Sequence, residues 1–288
     1  MSFPSRRLAL GLAALGFGIL GGWTAQAQQP DLSGKTVMVG IHNRSPWGYR
    51  DKDGNVIGYH PDLVRAALAP LGVKKIEFTV ADFGALIPGL LANRFDIIAS
   101  GVAITPARCQ QVLFSEPDLS AGDGLLVLKG NPKKLHSYED IVKSPEVKLG
   151  GGRGTENAKN ALAAGVPEDR LLLFPNNEAV VSAMLAGRVD AATLSAASVS
   201  GLMEAGGMNG IERALPFKGY VKPDGQEYMM ATAVVFAPKD KELQAAYNAQ
   251  LAKLKADGTM KTIMAKYGFT DAEMPPKATT AELCAAKP

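Results

Sequence analysis

The order of apolar and polar stretches along the chain lays out a repeating strand–helix plan. Lys35–Ile41 (KTVMVGI) is an apolar run of the kind a buried strand makes, and the polar loop His42–Tyr49 follows it. Asp53-Gly54-Asn55 predicts a tight hairpin turn. In Pro61–Leu71 the apolar residues Leu63, Ala67, Leu68 and Leu71 share one helical face, and Gly72 closes the helix. Ile76–Val80 then reads as a strand, Phe83–Ala92 as a helix and Asp96–Ser100 as a strand. The rhythm returns with a strand at Lys148–Gly150, a tight loop at Gly152–Thr155, helices at Glu156–Ala164 and Glu178–Ala186, and a strand at Asp190–Ser195. Asp240–Tyr267 continues as one or two helices, with Ala245, Leu251, Leu254 and Ile263 apolar. Strands and helices alternating through short links predict an α/β fold with mostly parallel sheets.

Leu90–Ile97 (LLANRFDI) is echoed ninety-four residues later by Met184–Ala191 (MLAGRVDA). Each copy is a helix end, an Arg-x-Asp turn and an apolar strand. Helix–turn–strand units are common, but self-similarity over this length predicts two lobes built on one plan. Gly124–Lys129 and Ala231–Ala237 are apolar, extended and flank the second copy, so they are expected to be two strands crossing between lobes. The expected division is lobe one at 31–127 plus 235–288 and lobe two at 130–232. Open parallel sheets take ligands at the carboxyl ends of their strands. The loop after Ile41, the Gly101–Arg108 junction, the Gly152–Thr155 loop and Thr193–Ser195 all lie at such ends. Two crossings would set them face to face over a cleft that closes by hinge motion.

Composition suits two lobes: 288 residues, 47% hydrophobic and 20% charged, are enough for a sizeable core. Residues 1–27 stand apart, with Arg6 and Arg7, the apolar run Leu8–Leu20 and the small-x-small pattern Ala25-Gln26-Ala27. They predict export with cleavage after Ala27. The apolar run is short and glycine-rich for a membrane anchor. Without Arg6 and Arg7 the formal charge falls from +3 to +1, which predicts neither nucleic acid nor an acidic membrane as partner. Three histidines, Cys109 and Cys284 give no zinc spacing, so no metal or cofactor is expected. In an oxidising compartment two cysteines are expected to pair. A Cys109–Cys284 disulfide would pin the polar, proline-bearing tail 271–288 beside Arg108.

The stretch Gly101–Arg108 (GVAITPAR) carries the candidate chemistry. Pro106 suits the first position of a helix, and Arg108 follows one residue into it. Free amides at a helix start bind anions, and a guanidinium grips a carboxylate through two parallel hydrogen bonds. Together they predict a carboxylate socket. A surface arginine on a capped helix is the competing reading.

These segments resemble bacterial extracellular solute-binding proteins of family 3, the receptors of polar-amino-acid ABC importers. The likeness runs from about Val37 to Phe269 and rests on Gly58-Tyr59 with Asp62-Leu63, Phe83–Leu90, Gly101–Arg108, Phe114–Pro117, Gly187–Ala191 and Leu254–Tyr267. It implies a two-lobe periplasmic-binding-protein fold (type II), two sheets joined by two crossing strands. It also implies a monomer in the periplasm that holds a small zwitterionic solute for a membrane permease. Within that resemblance Arg108 grips the ligand carboxylate, the backbone at Gly101 and the hydroxyl and amide of Thr155 assist, and Phe83 stacks on the ligand.

Three positions depart from the amino-acid binders. Ser195 stands where they carry the aspartate that holds the α-ammonium, Ala103 replaces a Thr or Ser, and Glu156 replaces a small residue. Glu156 would supply the missing negative charge or simply serve the helix start. The ectoine and hydroxyectoine binders are more similar still, through Arg108-Cys109, Gly151–Glu156, Gly165–Pro167 and Thr279–Lys287. There Trp47 and Phe83 would be aromatic walls around a charge-delocalised zwitterion. Arg44 stands where those proteins use a carboxylate and Ala103 where they use an aromatic residue. Arg44 favours a more acidic ligand if it faces the cleft, and is a solvated loop arginine if it does not. The alternative function is a cyclohexadienyl-dehydratase-like enzyme, known among relatives of the family. It needs a placed general acid, for which Glu156 and His42 are the candidates.

Overall fold

Apolar runs of strand length set the frame. The computed structural model describes Met1 and residues 32–204 and 209–286. Apart from Met1, the expected export segment 1–27 and its cleavage point lie outside the described residues. In chain order, β1 (Thr36–Ile41) leads to a hairpin of β2 (Tyr49–Arg50) and β3 (Val56–Ile57), then α1 (Tyr59–Leu68), β4 (Lys75–Val80) and α2 (Leu86–Leu91). β5 (Ile97–Ala103), α3 (Pro106–Cys109), β6 (Leu113–Phe114) and β7 (Leu119–Ala121) complete this stretch. The next runs β8 (Asp123–Leu128), α4 (Tyr138–Lys143), β9 (Leu149–Gly152), α5 (Glu156–Ala163), β10 (Leu171–Phe174), α6 (Asn177–Leu185), β11 (Ala191–Ser195), α7 (Ala196–Glu204) and β12 (Ile211–Arg213). The chain returns through β13 (Met230–Phe236) to α8 (Lys241–Ala256), α9 (Thr259–Lys266) and α10 (Thr280–Ala285).

Two sheets result. One has the order β4-β1-β5-β13-β6, with β7 also on β13; the other has the order β10-β9-β11-β8-β12. In the first, β1 pairs in parallel with β4 and β5, while β13 pairs antiparallel with β5, β6 and β7. In the second, β9 pairs in parallel with β10 and β11, while β8 pairs antiparallel with β11 and β12. The architecture is thus the expected α/β pair of lobes. Each sheet is parallel where strand–helix units follow one another and antiparallel beside the strand nearest the crossing.

Strand alternation gives each sheet a core on both faces. Ile97 and Ala99 of β5 join Val39, Leu63 and Tyr247 on one side, and Ile98 and Val102 join Leu90, Phe95 and Phe114 on the other. In the second lobe Leu125 and Val127 face Tyr138 and Ile141, while Leu126 faces Val180 and Met184.

The segments expected as crossing strands each complete a sheet, β8 in the second and β13 in the first. By sheet membership Asp123–Leu128 lies with the second lobe, against the expected limit of 127, and Met230–Phe236 lies with the first, against an expected start at 235. The chain passes between the lobes at Gly122 and again at Met229, side by side: a Cβ on Gly122 would stand 3.2 Å from Met229 Sδ. Cys109 and Cys284 form a disulfide with their Cα atoms 5.7 Å apart, tying α10 to α3. Among the described residues no helix is long and apolar enough to cross a membrane.

Candidate functional site

Five strand-end segments, three from the first lobe and two from the second, converge on one cavity. From the first lobe come Arg44 and Trp47 on the loop after β1, Phe83 at the start of the α2 segment, Gly101 and Ala103 on β5, and Arg108 on α3. From the second come Thr155 and Glu156 at the start of α5 and Ser195 at the end of β11. The structure therefore brings together all nine positions singled out from the sequence.

Arg108 is 7% exposed. Its Nη1 donates to Ala103 O and its Nη2 to Gly154 O, each at 2.9 Å, so it spans the two lobes. Its guanidinium carbon stands 5.9 Å from the Phe83 ring centroid, and Nη2 lies 3.8 Å from Glu156 Oε2. Burial lowers its titration and the Glu156 carboxylate opposes that shift. The helix half of the expected socket is absent. α3 has four residues, and the Arg108 N–H bonds to Thr105, whose side chain caps the turn. On α3 it is the guanidinium, not the helix start, that lines the cavity.

Arg44 is not a solvated loop residue: it is 5% exposed, and burial lowers its titration to about 10, which leaves it cationic at neutral pH. Beside it His42 is pushed down to about 4 by its burial and by the Arg44 charge. Glu156 lies 3.5 Å from Lys159 as well as near Arg108, but its buried Oε2 has no hydrogen-bond partner. The ion pairs are at Coulombic distance, beyond hydrogen-bonding range.

The remaining groups are engaged with protein. Thr155 donates its hydroxyl to Gly152 O at 2.8 Å, and its N–H bonds the same carbonyl at 3.2 Å. Gly101 N–H donates to His60 Nδ1 at 3.1 Å, and His60 Nε2 meets Asp118 Oδ2 at 3.1 Å. Trp47 stacks on that imidazole, centroids 5.6 Å apart, and its indole N–H reaches across the lobes to Ser195 Oγ at 3.1 Å and Ser198 Oγ at 3.2 Å. A tryptophan–serine contact thus occupies the place where an aspartate was expected to be replaced.

Ala121, Asn157, Met230 and Thr232 also line the cavity and were not singled out in the sequence. Asn157 follows Glu156 and donates to Asp123 Oδ1 at 2.6 Å. Burial raises Asp123 to about 6, against the hydrogen bonds it receives. Thr232 is opposite Ala103 in the β5–β13 register, a pairing visible only once the return strand is placed. Among the described residues no cluster of three or more His, Cys, Asp or Glu could hold a metal.

Two lobes on paired crossings, with a charged cavity lined from both sides, define a protein that shuts over a small solute. The chain belongs to the bacterial extracellular solute-binding proteins, family 3, whose family model matches residues 37–270. It is 35% identical over 252 residues, 86% of this chain and 82% of the relative, to a probable amino-acid ABC transporter periplasmic-binding protein of Sinorhizobium fredii. It is 30% identical over 236 residues, 81% of this chain and 87% of the relative, to the lysine/arginine/ornithine-binding periplasmic protein of Escherichia coli K12. Among solved structures, EhuB in complex with hydroxyectoine matches with a TM-score of 0.78 and 34% identity over 88% of this chain and 95% of that one. The ancestral amino acid-binding protein AncCDT-1, a precursor of cyclohexadienyl dehydratase, matches with a TM-score of 0.69 and 29% identity over 81% of this chain and 95% of that one.

Proposed function

We propose that this chain is the exported receptor of an ABC importer, a monomer cleaved after Ala27, and that it closes its two lobes over a small amino-acid-like zwitterion. One observation carries this reading. Arg108 and Glu156, of opposite charge, line the same cavity with Nη2 3.8 Å from Oε2, beyond hydrogen-bonding range, and the buried Glu156 Oε2 has no hydrogen-bond partner. Buried polar groups are normally satisfied, and a solute bearing both charges satisfies both. Arg108 receives the carboxylate, Glu156 faces the cationic end, and Phe83 and Trp47 supply the apolar walls. The likeness to amino-acid and hydroxyectoine binders supports the same class of solute. A dehydratase is the weaker reading, because Glu156 lies beside two cations and His42, pushed down to about 4, is neutral at working pH.

Calorimetry of the purified protein with amino acids, ectoine, betaines and small dicarboxylates tests the proposal. A solute of this class binds, and Arg108→Ala weakens it by about 3 kcal/mol, roughly a hundredfold, since the carboxylate would be left buried without its partner. Equal affinity in the two proteins contradicts the assignment.

A further inference from the structure

The cavity wall carries a second cation, Arg44, for which the described residues supply no counter-charge. Arg44 Nη2 donates to Ser100 O at 3.3 Å, and Arg44 Nε has no hydrogen-bond partner. The rings of Trp47 and Phe83 lie with their centroids 5.5 and 5.2 Å from the guanidinium carbon, and His42 is near enough to be affected by its charge. Among the described residues no carboxylate stands within ion-pair distance of it. The one carboxylate on the cavity wall, Glu156, is already shared between Arg108 and Lys159.

An uncompensated buried cation is costly, and contacts with ring faces offset only part of that cost. What completes it is an anion brought by the ligand. A guanidinium with free N–H groups suits a planar carboxylate. Arg44 and Arg108 both lie against Phe83, 5.2 and 5.9 Å from its centroid, so their guanidinium carbons are no more than about 11 Å apart. One small molecule spans that distance. Resting on the function proposed above, we propose that the solute carries a second carboxylate received by Arg44: an amino dicarboxylate of net charge −1, not a neutral zwitterion and not a basic amino acid. Arg44 is then the residue that sets specificity, and this chain departs in ligand from the lysine/arginine/ornithine and hydroxyectoine binders it is similar to.

Titration calorimetry on the purified protein and on Arg44→Gln tests this with L-glutamate against L-glutamine, L-aspartate against L-asparagine, and ectoine and L-arginine beside them. Each acid–amide pair has nearly one shape and differs by one charge. The unaltered protein is expected to bind an acidic member at least about tenfold tighter than its amide, and Arg44→Gln to bring the ratio to within about threefold. An amide, ectoine or arginine bound tighter than every acid overturns the inference, as does no binding of any acid or an unchanged ratio in the variant. Should Arg44→Gln not fold, the ranking in the unaltered protein decides. If ectoine or arginine ranks first and its binding still depends on Arg108, this inference fails while the proposed function stands. Affinity indifferent to Arg108 removes the proposed function itself.

Discussion

Gly101 serves two needs that no residue with a side chain meets. Its φ is +63°, and a Cβ there would stand 2.5 Å from Trp47 Cε3. Its N–H holds the Nδ1 of His60, which leaves Nε2 to donate to Asp118, so one neutral tautomer satisfies both partners. The imidazole fixed in this way is the plate on which Trp47 stacks. Gly101→Ala is expected to destabilise the protein by about 2–4 kcal/mol, part from the left-handed backbone and part from overpacking. The check is the thermal midpoint of the purified variant, and a midpoint equal to that of the parent contradicts this account. From sequence, GVAITPAR pointed to this place because glycine, proline and arginine are informative even alone. The pairing of Gly101 with His60, forty-one residues earlier, left no such sign, since it depends on how α1 packs against β5.

Local chemistry explains why the two-lobe plan could be read from the chain. In both repeats an aspartate closes the turn onto the neighbouring strand. Asp96 accepts from Met38 N–H at 2.9 Å and its own N–H bonds Met38 O at 2.8 Å. Asp190 does the same with Lys148, at 2.8 Å both ways. Each turn also needs a left-handed residue, Asn93 at φ +56° and Gly187 at φ +68°. The Arg-x-Asp echo was therefore a hydrogen-bonding pattern written in sequence. The length of α3 and the sheet membership of β8 and β13 were not legible, because apolar runs alone do not say which strand they will pair with. The disulfide is the element-scale device that holds the tail. Thr280 helps, donating Oγ1 to Ser115 O at 2.6 Å and N–H to Glu116 Oε2 at 3.1 Å. The bond spans 175 residues, so replacing both cysteines by alanine is expected to cost about 3–5 kcal/mol of unfolding free energy. Denaturant titration measures this, and an unmoved midpoint contradicts it.

At the scale of the whole molecule, contacts across the cavity hold the lobes shut, and three of them are close. Arg108 Nη2 bonds Gly154 O, the Trp47 indole bonds Ser195 and Ser198, and Gly154 comes so close to Gly84 that a Cβ on Gly154 would lie 3.1 Å from Gly84 Cα. The first two are polar and lost on opening, so they weight the closed form. Trp47→Phe keeps a ring against His60 but removes the N–H, and is expected to weaken solute binding by about 1–2 kcal/mol. Its ligand-free radius of gyration in small-angle scattering is expected to exceed that of the parent protein, and identical affinity and radius would show that the indole bond does not hold the lobes. Of the two tryptophans in the sequence, Trp47 is the one beyond residue 27, and it sits 1% exposed on the seam between the lobes. Any parting of the halves wets that indole, so in a chain cut after Ala27, as proposed above, ultraviolet emission is expected to follow occupancy without a dye.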